Sequence, residues 1–224
     1  MRSIMSFVRI SVLVFAVVLL AGCAGGQTIT LSSATPSPAA TTAASTTAAS
    51  TQAAATAATT TGTAVACTSP AQPIVELTEG PYYKANPPQN AALRTAGVAG
   101  TPLTLTGYVV SKSCQPIANA KLDFWQADGN GSYDNSGYTL RGWQLTDANG
   151  AYRLETVIPG LYPGRTEHIH FKVTVNGQTY TSQLFFPGVS QNEGDSIYSS
   201  QMLVKLNTGT SPATGTFTFV VNVA

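Results

Sequence analysis

The stretch that most constrains how this chain can fold runs from Pro159 to Val175 and reads PGLYPGRTEHIHFKVTV. It contains both histidines of the 224-residue chain, His168 and His170. From there on, apolar and polar residues alternate with a period of two, which predicts a half-buried β-strand with both imidazoles on its polar face. Two imidazoles side by side on a strand are suited to binding a metal, although solvated histidines on an exposed strand would give the same pattern.

The N-terminus has the pattern of an export signal. Arg2 and Arg9 accompany a short apolar run that is too short to span a membrane comfortably, and small residues then lead to Cys23. The sequence LAGC at positions 20–23 resembles a bacterial lipobox; an ordinary secretory signal with a chance cysteine is the alternative. Residues 1–22 are therefore predicted to be a lipoprotein signal peptide. Lipidation of Cys23 would anchor the exported protein to the outer face of a bacterial membrane, at the cell surface.

Residues 23–66 are predicted to be the lipidated cysteine followed by a disordered spacer. The segment consists mainly of Ala, Thr, Ser and Gly and has no charged or aromatic residue. Such a composition cannot bury enough apolar surface to offset the entropy lost on ordering. The formal net charge of the whole chain is +1, and no basic stripe suggests nucleic acid as a partner.

Residues 67–224 are long enough for one domain with a sizeable core. Two cysteines remain in this region, Cys67 and Cys114. In an exported domain they predict one disulfide between the start of the folded region and the turn after its first strand, with two separate thiols as the alternative.

This region is a series of short alternating segments separated by turn sequences. The predicted strands are 103–110, 120–127, 143–145, 152–154, 168–175, 179–186 and 216–223. Asn176-Gly177 predicts a tight hairpin turn, and helical periodicity is confined to a short stretch at 196–203. The predicted fold is all-β, an antiparallel β-sandwich.

Two tyrosines stand where strands give way to glycine-rich turns, Tyr133 in NGSYDN and Tyr162 in PGLYPGR. A phenol has a pKa near 10, so a tyrosine in a turn is ordinarily neutral. Beside a trivalent cation, however, the phenol loses its proton and becomes a strong ligand. Two phenolates with two imidazoles suit Fe(III) better than zinc, which favours histidine with cysteine or carboxylate.

The region from about residue 78 to 188 resembles the intradiol ring-cleavage dioxygenases, and most closely their small extracellular branch. The segments that carry the resemblance are TEGPYY (78–83), DFWQADGNGSY (123–133), LRGWQLTDANGAY (140–152), PGLYPGRTEHIHFKV (159–173) and SQLFF (182–186). The resemblance implies a prealbumin-like sandwich with an Fe(III) cofactor. Its four protein ligands would be Tyr133 and His168 in equatorial positions, and Tyr162 and His170 in axial ones.

The resemblance also implies a reaction. A catechol-type diol would chelate the iron and react with O2 to give a cis,cis-muconate-type diacid. Either Tyr162 or a hydroxide would take up a substrate proton, Arg165 would stabilise the charged substrate, and Gln183 would match the family's glutamine as a further catalytic residue. The predicted pocket residues are Pro81, Tyr82 and Trp125, although the first two also fit a simple turn and Trp125 also fits core packing.

Two departures from the larger family members limit what can be carried over. Only Pro163 and Gly164 separate Tyr162 from Arg165, where larger enzymes have an insertion, so a shallower and more open pocket is expected. Such a pocket suits bulky or varied catechols. The helical N-terminal dimerisation region of the cytoplasmic catechol enzymes is missing too, so the oligomeric state stays unknown.

Other interpretations of the same residues remain open at this stage. Arg165 would pair with Glu167 at the surface if the site were not catalytic. The chain would then be a non-catalytic, prealbumin-like binding module anchored at the cell surface. A zinc or copper hydrolase or scavenger is a further alternative, but neither class needs Tyr133 and Tyr162.

Overall fold

Eight β-strands form two four-stranded sheets in the part of the chain that the structure describes. This computed structural model describes Val65, residues 67–69 and residues 71–223. The predicted signal peptide, Cys23 and nearly all of the spacer lie outside the described residues.

The strand order joins the first and last strands of the domain. The strands are β1 (Pro102–Ser111), β2 (Lys121–Trp125), β3 (Arg141–Leu145), β4 (Ala151–Val157), β5 (His168–Val175), β6 (Gln178–Phe185), β7 (Lys205–Asn207) and β8 (Ala213–Val221). One sheet has the order β4-β1-β8-β7 and the other the order β3-β2-β5-β6. The all-β sandwich is confirmed, and its strand pairs are antiparallel with one exception, since β1 and β8 run parallel. A parallel pair needs a long connection, and the whole intervening domain provides it.

The core lies between the inner faces of the two sheets. On β5 the alternation places Ile169, Phe171 and Val173 inward, each with 0% exposure. Phe171 contacts Phe219 of β8, with ring centroids 4.6 Å apart. Burial of these apolar side chains drives the packing of the sheets, at roughly 1.5–3 kcal/mol per large side chain. It also fixes the register of β5, so His168 and His170 must lie on the opposite face.

The connections agree with the sequence patterns except at one point. Asn176 and Gly177 have φ angles of 51° and 81°, as a two-residue hairpin turn between β5 and β6 requires. The helical stretch expected at 196–203 contains only one 3-10 turn, Ser200–Met202, and another lies at Asn192–Gly194. Asp195 opens a single turn instead, in which its side chain accepts from the Ile197 N–H at 2.9 Å and its carbonyl accepts from the Tyr198 N–H at 3.0 Å.

Cys67 and Cys114 form a disulfide that ties the start of the described chain to the turn after β1. No helix within the described ranges is long and apolar enough to cross a membrane.

Candidate metal centre

His168 and His170 open strand β5 on its polar face, yet both imidazoles are buried, at 2% and 0% exposure. The segment around Gly80 crosses this face so closely that a Cβ on Gly80 would lie 3.1 Å from His170 Cε1. Trp125 stacks on the His170 ring with an interplanar angle of 7°. The two Nε2 atoms face each other at 3.1 Å. Both histidines therefore present a ring nitrogen to the same buried point.

The protonation of these rings suits metal binding. His168 Nδ1 lies 2.6 Å from the Thr166 carbonyl oxygen. A carbonyl can only accept, so Nδ1 carries the proton and Nε2 is left with its lone pair. Burial lowers the pKa of His168 to about 4 and that of His170 well below its ordinary value. Both imidazoles are thus neutral near pH 7, the form that binds metals.

The two tyrosine loops pack on each other backbone to backbone. Gly131 has a φ of 78°, and a Cβ there would overlap the Leu161 carbonyl oxygen. The Gly160 N–H donates to the carbonyl of Asp128 at 2.8 Å, and a Cβ on Gly160 would overlap the Gly129 backbone. Glycine is therefore required where the loops meet, two residues before each of Tyr133 and Tyr162.

This packing brings both phenols to the histidines. Tyr162 Oη lies 3.4 Å from His168 Nε2. The Tyr133 ring centroid lies 5.8 Å from that of Tyr162 and 6.5 Å from that of His170. Burial raises the pKa of both phenols above the usual value, so each holds its proton when no cation is present.

The residues fit a ferric ion. Tyr133 Oη is fully buried and has no hydrogen-bond partner among the described residues. A buried hydroxyl of this kind costs free energy unless something pairs with it. The two Nε2 atoms are 3.1 Å apart, so both imidazoles could bind the same ion. Within the same residues no group of three or more His, Cys, Asp or Glu side chains could hold a metal.

Arg165 occupies the end of a tight turn that begins at Tyr162. The Arg165 N–H donates to the Tyr162 carbonyl at 3.0 Å, and Gly164 between them has a φ of 78°, as a type II turn with proline at its second position requires. The short Tyr-Pro-Gly-Arg spacing thus folds the guanidinium back, with Nη1 3.3 Å from Tyr162 Oη.

The remaining guanidinium donors are held from two other elements. Nη2 donates to the Gln183 side-chain oxygen, and Nε pairs with Asp195 Oδ2 at 2.8 Å. The surface pair with Glu167 that the sequence allowed is not the one formed. Burial alone would raise the pKa of Asp195, but the Thr166 and Ile197 N–H groups and Arg165 outweigh it and lower the pKa.

The three predicted pocket residues have different environments. Tyr82 is half-buried and stacks on Tyr133, with centroids 4.2 Å apart and an interplanar angle of 16°. Pro81 is exposed beside it. Trp125 is only 1% exposed, so it has no open surface for a substrate and packs behind His170 instead.

Sequence reasoning missed two residues that hold the site together. Asp195 anchors Arg165 from 30 positions away, and no sequence pattern signals that pairing. Arg141 is 2% exposed and donates to the Tyr82 carbonyl at 2.5 Å and to the Asp134 carbonyl at 3.0 Å. It thereby ties the residue after Tyr133 to the segment that covers the histidines. The only sequence feature that could have pointed to Arg141 is its charge inside an otherwise largely apolar segment, LRGWQ at positions 140–144.

Two phenols, two imidazoles and an arginine therefore lie together at one end of a sheet in this all-β sandwich. Residues 78–219 match the family model described as Dioxygenase. The chain belongs to the intradiol ring-cleavage dioxygenase family.

Curated relatives and solved structures show the same likeness. The chain is 29% identical to the protocatechuate 3,4-dioxygenase beta chain of Burkholderia cepacia, over 53% of this chain and 64% of that one. It is 26% identical to catechol 1,2-dioxygenase of Acinetobacter baylyi, over 55% and 49%. The match therefore spans about half to two thirds of the length of these relatives.

Among solved structures, the dioxygenase domain of a dioxygenase–carbohydrate-binding fusion from Streptomyces sp. SirexAA-E has a TM-score of 0.66 and 43% identity. That comparison covers 68% of this chain and all of the domain. An intradiol ring-cleavage dioxygenase from Tetranychus urticae has a TM-score of 0.60 and 26% identity, covering 66% of this chain and 92% of that one.

Proposed function

We propose that this protein is a non-haem Fe(III) dioxygenase that cleaves catechol-type diols between the two hydroxyl-bearing carbons. The observation that carries the proposal is the convergence of Tyr162 Oη, His168 Nε2 and His170 Nε2, beside the unpartnered hydroxyl of Tyr133. A binding module would have no use for a buried donor set of this kind. Family membership supports the same reaction class.

Tyr133, Tyr162, His168 and His170 would hold the ion. When bound, it would act as a Lewis acid and as a template for the diol and O2. Both oxygen atoms of O2 would enter a cis,cis-muconate-type diacid, so no external reductant is required.

The chain's own residues supply positioning and charge. Tyr162 Oη, ionised once the cation is bound, would be the atom best placed to accept a proton from the diol, because it lies at the rim of the site and Arg165 Nη1 stabilises negative charge on it from 3.3 Å. Arg165 would also stabilise charge that develops on the substrate. Gln183 keeps Arg165 in place, since its oxygen accepts from the guanidinium while its amide donates to the Thr78 carbonyl at 3.0 Å.

An oxygen-uptake assay tests the proposal. The iron-loaded protein should consume one O2 for each catechol and release a diacid heavier by two oxygen atoms, as measured by an oxygen electrode and mass spectrometry. His168→Ala should lose both iron and activity, and Tyr162→Phe should keep iron but turn over more slowly. No oxygen uptake with any catechol in a varied panel would overturn the proposal.

We also propose that the protein is exported and held at the cell surface by a lipid on Cys23. The support is the basic start, the short apolar run and the LAGC sequence at positions 20–23. Cells fed a labelled fatty acid should transfer label to the wild-type protein and not to Cys23→Ser. Equal labelling of the two would contradict the proposal.

A further inference from the structure

A cleft of about 470 Å³ opens directly beside the candidate metal centre. Its lining includes Tyr162 and Arg165 together with Gln191, Gly194 and Asp195. No described atom lies within 4 Å of where a Cβ of Gly164 would be, so the rim is open at the turn. A diol bound at the centre would therefore have space for a substituent in this cleft.

The cleft has no free positive charge. Of the described residues that line it, Arg165 and Asp195 are the only charged ones, and they are paired with each other at 2.8 Å. Arg165 also donates to Tyr162 and Gln183, so the guanidinium is held against these partners while Asp195 balances its charge. A carboxylate on the substrate would lose water here without gaining a cation, which is unfavourable.

The cleft also has an apolar wall. Leu161 and Pro163 line it, and Leu161 is 40% exposed, one of three large apolar side chains so exposed in the described region. A single exposed leucine is ordinary, but this one lines the cleft, and its backbone is held there by packing on Gly131. An alkyl or aryl group would cover it and exclude water from both surfaces.

We infer that the cleft selects catechols with a neutral, apolar substituent over carboxylated ones, and that Leu161 is a specificity-determining residue. The inference rests on the proposed function and names its substrate class.

The test compares kcat/KM for catechol, 4-tert-butylcatechol and protocatechuate. The wild-type protein should favour 4-tert-butylcatechol over protocatechuate. Leu161→Ala should lower the ratio of 4-tert-butylcatechol to catechol by about fivefold. Leu161→Lys should shift the preference towards protocatechuate, because it places a cation in the cleft.

Leu145→Ala is the matched control. Leu145 is 43% exposed and lies on β3 outside the cleft, so all three ratios should stay as in the wild type. A wild-type preference for protocatechuate, or equal ratios in Leu161→Ala and the wild type, would overturn the inference.

Anaerobic calorimetry of the iron-loaded protein separates this inference from the proposed function. If the oxygen-uptake assay shows ring cleavage but calorimetry and kcat/KM show no difference among the three diols, the inference alone is overturned. Discrimination in binding with no cleavage of any diol would overturn the proposed reaction and support the cleft as an apolar binding site.

Discussion

Tyr133 carries its hydroxyl into the interior beside three other polar donors, where no described residue pairs with it. A buried hydroxyl without a partner destabilises a folded protein by about 1–3 kcal/mol. Tyr152 is the opposite case, because its buried hydroxyl donates to the Phe217 carbonyl at 3.0 Å. The two phenols therefore allow a metal-binding role to be separated from a structural one.

Replacing Tyr133 by phenylalanine should not destabilise the iron-free protein, and should raise its free energy of unfolding by up to about 1 kcal/mol. The same change should weaken iron binding at least tenfold, because it removes a ligand. Tyr152→Phe should do the reverse, with a loss of about 1–2 kcal/mol of stability and unchanged iron affinity. Urea unfolding and iron titration measure both effects. Equal destabilisation by the two changes would contradict the account of Tyr133.

The ion pair of Arg165 with Asp195 should matter more than pairs at the surface. The side chains are 13% and 2% exposed, whereas those of the Arg153–Glu155 pair are 60% and 45% exposed. Asp195→Asn leaves a mostly buried cation unpaired and should cost about 3 kcal/mol, while Glu155→Gln should cost less than about 0.5 kcal/mol. Turnover should fall only in Asp195→Asn, since Arg165 then loses its charged partner and is held only by Gln183 and Tyr162. Similar stability losses in the two variants would show that the Arg165–Asp195 pair contributes no more to stability than an exposed surface pair.

At the scale of elements, the site depends on two loops and one strand that meet at fixed positions. Strand β5 determines where the imidazoles lie, because its apolar alternation fixes its register in the core. The loops before Tyr133 and Tyr162 are fixed relative to each other by glycines at their contact. Backbone packing therefore fixes where the two phenols lie relative to each other.

Gly131→Ala should disrupt that contact. The new Cβ would overlap the Leu161 carbonyl, and its φ of 78° is unfavourable for alanine. Gly177→Ala is the matched control, because Gly177 has a φ of 81° but no described atom within 4 Å of its Cβ position. Both variants should lose about 1 kcal/mol of stability from the backbone. Only Gly131→Ala should lose iron affinity, measured by iron titration; equal affinity in both would contradict the role of the loop contact.

At the scale of the whole molecule, most of the architecture was predictable because it follows from local alternation. Ile169, Phe171 and Val173 alternate with polar residues, and the strand lies where that pattern placed it. The parallel pairing of β1 with β8 was not predictable, since alternation says which face is buried and not which strand is the neighbour.

The site likewise has contacts that the sequence predicts and contacts that it does not. The donors of β5 and its preceding turn are close in sequence, so their proximity follows from the strand and the turn. The pairing of Arg165 with Asp195 does not follow from the sequence, because only the tertiary fold brings Asp195 to Arg165. The burial of Trp125 depends on whether the segment near Gly80 covers that face, which alternation cannot show.

The pH dependence of stability also belongs to the whole molecule. Burial lowers the pKa of His168 to about 4, below the unfolded value near 6.5, so below pH 6.5 the unfolded chain binds more protons than the folded one. The stabilisation is complete above pH 6.5 and is lost progressively between pH 6.5 and 4. Between pH 7.5 and 5 the iron-free protein should lose about 2 kcal/mol from this group alone.

Urea unfolding at the two pH values measures this loss. His168→Gln should show a smaller change with pH, because the titrating group is gone while His170, whose pKa is lowered in the same direction, remains. An equally steep dependence in the variant would assign the effect to other groups.

Iron titration of the purified protein, followed by visible absorbance, tests the central claim most directly. The account predicts that one ferric ion binds per chain and produces a visible band, because phenolate coordinates it. The band should weaken in both Tyr133→Phe and Tyr162→Phe and be lost when both changes are combined. A colourless iron complex, or a band that persists in the double variant, would contradict the claim that these tyrosines and histidines hold one ferric ion.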